Sequence, residues 1–130
     1  MAINYLFDSN IVIYFLGGFG LNENALKRLD NICKEGQNIS VISKLELLGF
    51  NFISESDDNE MKEFIGKSVV HFINEEIEKE TIQIRKAVKI KLADAIIAAT
   101  CIANDFTLLT RNVDDFKDIN RLKIVNPFVW

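Results

Sequence analysis

One proline and six glycines in 130 residues argue against long disordered stretches. Two cysteines, Cys33 and Cys101, lie far apart and form no C-x-x-C pair, so they read as buried thiols rather than a structural disulfide. The single histidine, His71, sits in a strand-like run and reads as structural. No Ser-His-Asp arrangement, P-loop or glycine-rich dinucleotide fingerprint is present. No apolar run reaches the roughly 20 residues of a membrane helix. Residues 1–16 lack the basic region and the small-residue cleavage site of a secretory signal, so the expectation is a cytoplasmic protein. Positive charge is not in excess either: the net charge is −4, which does not advertise a nucleic-acid binder.

What is present is ordinary for a soluble domain: 48% hydrophobic and 26% charged residues, with ten phenylalanines. The length suits a single domain over 1–130. Buried strands are expected at 3–7, 38–42, 68–73, 106–110 and 123–126. Between them fall helical patterns. Asn10 to Leu16 is stopped by Gly17 and Gly18. "ALKRLDNICKEG" follows a cap at Asn22 or Asn24. "SKLELLGFNFI" is interrupted by Gly49, and "NEMKEFIGK" begins after Asp57 and Asp58. A long segment runs from Asn74 to about Lys91, and an alanine-rich helix follows Asp94. In the long segment Glu75, Glu76, Glu78 and Glu80 come early and Arg85, Lys86, Lys89 and Lys91 late, the order a helix dipole favours. Strands alternating with helices imply an α/β fold with a central parallel sheet of about five strands and helices on both faces. Such sheets bind ligands beyond the carboxyl ends of their strands.

Acidic side chains from separate segments fall at that edge. Asp8 ends the first strand. Glu46 lies in the first turn after the second. Asp94 starts the helix that leads into the fourth, and Asn112, Asp114 and Asp115 follow it. Each also has a local explanation. Asp8 caps the first helix, Ser43 and Glu46 have capping-box spacing, Asp94 is a first-turn acid, and Asn112 caps a short helix. Four independent caps have no need to share one edge of one sheet, whereas converging carboxylates are costly unless a cation binds them. A hard divalent ion suits that set, and it can polarise a phosphodiester and activate water.

The chain resembles the PIN-domain ribonucleases, and within them the VapC-like toxins of bacterial toxin–antitoxin pairs. The likeness is carried by "LFDSNIVIYFL", "ISVISKLELLGF", "KLADAIIAATCIANDFTLLTRNVDDF" and the closing "IVNPF". It implies a three-layer α/β/α fold and Mg²⁺- or Mn²⁺-dependent cleavage of RNA. Asp8, Glu46 and Asp94 match the family's three principal acidic positions. The fourth falls on Asn112, a departure for which Asp115 would compensate. On this resemblance Asp8, Asp94, Glu46 and Asn112 are the metal set, and Asp8, Glu46, Asp94 and Asp115 the catalytic set. Ser9, Asn10 and Thr110 support them. Arg85, Lys89, Lys91 and Arg111 read either as solvated charges or as a phosphate-steering patch. The implied partners are RNA, a VapB-like antitoxin and a second copy in a homodimer, with Phe15, Phe50 and Phe52 as apolar contacts or core. The alternatives are a PIN nuclease of RNA maturation or decay without an antitoxin, and a PIN module that binds RNA or protein without cutting. A phosphotransferase with an Asp nucleophile fits poorly, because Asn10 stands at the second acidic place of D-x-D.

Overall fold

The computed structural model describes residues 3–52 and 54–130. Five strands, Tyr5–Phe7 (β1), Asn38–Ser40 (β2), Val69–His71 (β3), Thr107–Leu109 (β4) and Lys123–Val125 (β5), form one sheet in the order β3-β2-β1-β4-β5. Every pairing is parallel. The helices are Ser9–Gly17 (α1), Glu23–Glu35 (α2), Val41–Leu48 (α3), Glu55–Lys67 (α4), Glu75–Ala87 (α5), Leu92–Asn104 (α6) and Val113–Phe116 (α7). A 3₁₀ turn over Pro127–Val129 follows the last strand.

Successive strand residues point to opposite faces, and both faces are covered. Leu6 and Leu108 pack with Ile77 and Ile84 of α5 and with Ile97 and Ala98 of α6. Phe7, Ile39 and Leu109 pack with Ile11 and Val12 of α1, Leu29 of α2, Leu47 of α3 and Met61 of α4. The result is the expected three-layer α/β/α arrangement.

The strands are three residues long, shorter than the apolar runs that contain them, because polar caps turn the chain early. Ser40 caps α3 by accepting from the Ile42 amide. Ser43 therefore lies inside α3, buried, and makes no capping box with Glu46. Glu46 sits in the second turn, not the first. Asn22, not Asn24, caps α2. Ser54 caps α4, which places Asp57 and Asp58 within its first turn. α3 stops at Leu48, so "GFNF" is not helical; Ile53 lies outside the described residues. The long charged helix stops at Ala87, and Val88 to Lys91 lead non-helically into α6. Lys89 and Lys91 therefore belong to a connection rather than to a helix end.

Cys33 is half-buried and Cys101 buried, both as free thiols. His71 Nε2 lies 3.0 Å from Asn38 Oδ1, and Asn38 Nδ2 donates to the Tyr5 carbonyl at 3.1 Å. Asn38 thus presents its oxygen to the ring, so His71 Nε2 donates. Among the described residues, no helix is long and apolar enough to cross a membrane.

Helix α6 is apolar nearly all round, and its residues Ala95 to Cys101 are all buried. Thr100 satisfies its hydroxyl on the Ile96 carbonyl at 2.7 Å. The alanines let α6 lie close to the sheet and to α5. Ala98 is fully buried, so Ala98→Leu overfills this seam. Urea unfolding should show a loss of about 1–3 kcal/mol.

Candidate active site at the carboxyl edge of the sheet

β1 and β4 are neighbours in mid-sheet, while the chain leaves β1 for β2 on the other side. The crevice beyond their carboxyl ends is therefore the topological switch point, where open parallel sheets hold their ligands. Asp8 and Thr110 stand on its two sides. The Asp8 amide donates to the Leu109 carbonyl at 2.9 Å, extending the ladder by one bond. The Thr110 hydroxyl donates to Asp8 Oδ2 at 2.8 Å.

Asp8 is the most enclosed of the acidic residues, 6% exposed. Its Oδ1 accepts from the Ser9 amide at 2.9 Å and its Oδ2 also accepts from Asn10 Nδ2 at 3.2 Å. Asn10 is oriented in turn, because its Oδ1 accepts from the Arg111 amide at 3.4 Å. Thr110 uses its hydroxyl twice, donating to Asp8 and accepting from the Asn112 amide at 3.1 Å. Both bonds tie Thr110 to the crevice. Ser9 joins α1 to α3 by donating its hydroxyl to Glu46 Oε1 at 2.7 Å. Ser9, Asn10 and Thr110 thus all hydrogen-bond to the acidic side chains. Asp8 does serve as the cap of α1. Asn112 precedes α7 but makes no side-chain capping bond, so the capping explanation fails for that residue.

The electrostatics identify the other members. Burial pushes the Asp8 carboxyl up to about 6; the Thr110 and Ser9 hydrogen bonds oppose this, and the charges of Asp94 and Glu46 add to it. Asp94 is also raised, first by burial and then by Asp115, while Lys91 opposes the shift and Glu46 adds to it. Asp8 therefore feels the charges of Asp94 and Glu46, and Asp94 those of Asp115 and Glu46, across the same crevice. Among the described residues none of the four forms an ion pair. The donors are all oxygens, the set a hard divalent cation prefers. No three His, Cys, Asp or Glu side chains among the described residues already stand close enough to enclose an ion.

Beside Asp94 opens a cleft of about 550 Å³, lined by the basic Arg85, Lys89 and Lys91 and the acidic Asp94, Asp114 and Asp115. Arg111 is elsewhere. Its guanidinium lies over the rings of Tyr14, at 5.1 Å, and Phe128, at 4.4 Å. Neither ring was suggested by the sequence, where aromatic residues on an apolar helix and in an apolar tail look like core.

The raised Asp8 carboxyl has a consequence for stability. The folded chain binds this proton more tightly than the unfolded chain, whose value is near 3.8. The resulting stabilisation is fully present below about pH 4 and is lost as the pH rises through about 6. Asp8→Asn removes the buried charge. Its melting temperature without added metal should exceed that of the wild type by a few degrees at about pH 7.5. The difference should disappear at about pH 4, as followed by circular dichroism.

No curated protein matches the chain. A family profile described as PIN domain matches residues 5–122. Among solved structures, VapBC from Salmonella typhimurium, bound to DNA, aligns with a TM-score of 0.80 at 20% identity, covering 97% of this chain and 99% of that one. VapBC2 from Rickettsia felis, bound to a DNA fragment from its promoter, aligns at 0.78 with 23% identity, covering 94% and 97%. A toxin–antitoxin complex from Klebsiella pneumoniae aligns at 0.70 with 25% identity, covering 95% and 97%. These likenesses agree with the three-layer fold, and the profile spans nearly all of the sheet and the whole acidic crevice: the chain belongs to the PIN domain family.

Proposed function

We propose that this chain is a Mg²⁺- or Mn²⁺-dependent endoribonuclease, the toxin of a VapBC-like pair acting in the cytoplasm. The observation that carries the reading is the pair of raised carboxyls, Asp8 and Asp94, at the switch point of a PIN sheet, with the charge of Glu46 acting on both and that of Asp115 on Asp94. Asp8 and Asp94 would hold the ion, directly or through water, with Asn112 offering a neutral oxygen. When bound, such an ion polarises the phosphodiester and strengthens water as a nucleophile.

The chain's own residues do the rest. Ser9, Asn10 and Thr110 fix the rotamer of Asp8 with three hydrogen bonds through their amide, side-chain amide and hydroxyl. Glu46, held by the Ser9 hydroxyl and exposed, orients the attacking water and accepts its proton. Asp115 adds negative charge opposite Asp94. Arg85, Lys89 and Lys91 draw RNA phosphates toward the cleft.

Similarity to VapBC complexes supports an antitoxin partner. An apolar groove of about 520 Å³, lined by Ile13, Leu16, Phe19, Phe50, Phe52 and Met61, suits its apolar segment. Phe50 and Phe52 pair their rings there at 4.8 Å, while Phe15 packs partly buried against the core. Exposed Leu45, Leu48 and Phe72 form apolar surface for a second copy in a homodimer.

Two experiments test this reading. Mn²⁺ should raise the wild-type melting temperature but leave Asp8→Asn nearly unmoved; an equal shift in both removes Asp8 from the metal set. Induction in a bacterial host should arrest growth with discrete new RNA 5′ ends, and both effects should vanish in Asp94→Asn. Persistent cleavage in that variant overturns the assignment, and normal growth without new ends favours a non-cutting module.

A further inference from the structure

Arg111 is exposed and, among the described residues, pairs with no carboxylate. Even so, it is held. Its amide donates to Asn10, and its guanidinium lies on two rings. Those rings are themselves locked edge to face, with centroids 5.1 Å apart. Phe128 is braced from behind by Gly20, where a Cβ would meet the ring at 2.9 Å and where φ is +73°. The turn that carries Phe128 is fastened at its end as well. The Trp130 carbonyl accepts from Asn22 at 2.6 Å, and Arg28 lies 3.9 Å over the Trp130 ring. An unpaired cation held in this way is a binding group for an anion that arrives with a ligand, since stacking restrains the planar guanidinium while its N–H edge stays open.

Its place indicates which anion. Tyr14 and Phe128 belong to the α1–α4 face of the sheet. Val88 and Ile90, which share the basic cleft with Arg85 and Lys89, belong to the α5–α6 face. Cationic groups therefore flank the acidic crevice from opposite faces. We propose that a single RNA strand crosses the carboxyl edge of the sheet from one face to the other, with Arg111 binding a phosphate that flanks the scissile one. Tyr14 and Phe128 are positioning residues that act through Arg111. This rests on the ribonuclease reading and adds a substrate path and a subsite to it.

The test uses a fluorescently labelled single-stranded RNA of mixed sequence, with steady-state cleavage and salt-dependent binding measured for each variant. Arg111→Ala should raise KM roughly ten-fold with kcat little changed. It should also lower the slope of log affinity against log salt by about 0.7, one phosphate's worth. Phe128→Leu keeps apolar bulk but loses the ring face, and should raise KM about two- to five-fold. Phe128→Tyr should restore the wild-type value. In the Arg111→Ala background, Phe128→Leu should add nothing. A full Phe128→Leu effect in that background overturns the proposal, as does an unchanged KM and slope in Arg111→Ala while the wild type still cuts. The latter leaves the nuclease reading standing. Unchanged RNA parameters with lost binding of the partner protein assign Arg111 to a carboxylate on that partner and also overturn it. A wild type that neither binds nor cuts RNA overturns both readings.

Discussion

The hydrogen bond from Thr110 to Asp8 is the contact on which the rest of the site depends. It joins residues 102 positions apart and sits where the two central strands open into the crevice. A carboxylate buried to this degree costs the fold several kcal/mol if its oxygens are unmatched. Thr110, Ser9 and Asn10 match them in part, and the residual strain shows as the raised carboxyl. The site is thus built to be incomplete: its hydrogen bonds fix geometry without neutralising charge.

The same logic explains the division of basic residues. Lys91 is close enough to Asp94 to offset part of its shift, yet no lysine or arginine among the described residues closes an ion pair on the acidic set. A salt bridge there would offset the negative charge that the crevice otherwise keeps. The bases instead stand aside, in the cleft of the α5–α6 face and on the aromatic shelf of the α1 face. In those places they leave the carboxylates unpaired.

Much of this was legible in the sequence because short apolar runs, Asp8 and Asp94 each mark the end or beginning of an element. Five strands, their parallel sense and the convergence at one edge all follow from such local signals. Glu46 was placed a turn too early because Ser40 and Ser43 both have capping chemistry, and only packing selects between them: Ser43 is drawn into the core by its neighbours on α3. The long charged helix was overextended because sorted charges continue past Ala87, whereas the backbone straightens to bring Asp94 to the edge. Tyr14 and Phe128 were invisible as partners of Arg111. Their meeting is a product of β5 and the final turn folding back over α1, which no periodicity within either segment encodes.

The wide separation in sequence of β1 and β4 also affects when the acidic crevice can assemble. β1 emerges first during synthesis, but its partner β4 is made about one hundred residues later. Until then Asp8 lacks both the Leu109 carbonyl and the Thr110 hydroxyl, and Asp94 has no opposing Asp115. Local helices form early on the ribosome, whereas the non-local pairing of β1 with β4 waits until β4 has been made. A product that stops before β4 therefore contains Asp8, Glu46 and Asp94 and most of the fold's helices, but not the Thr110 hydroxyl that holds Asp8 in place.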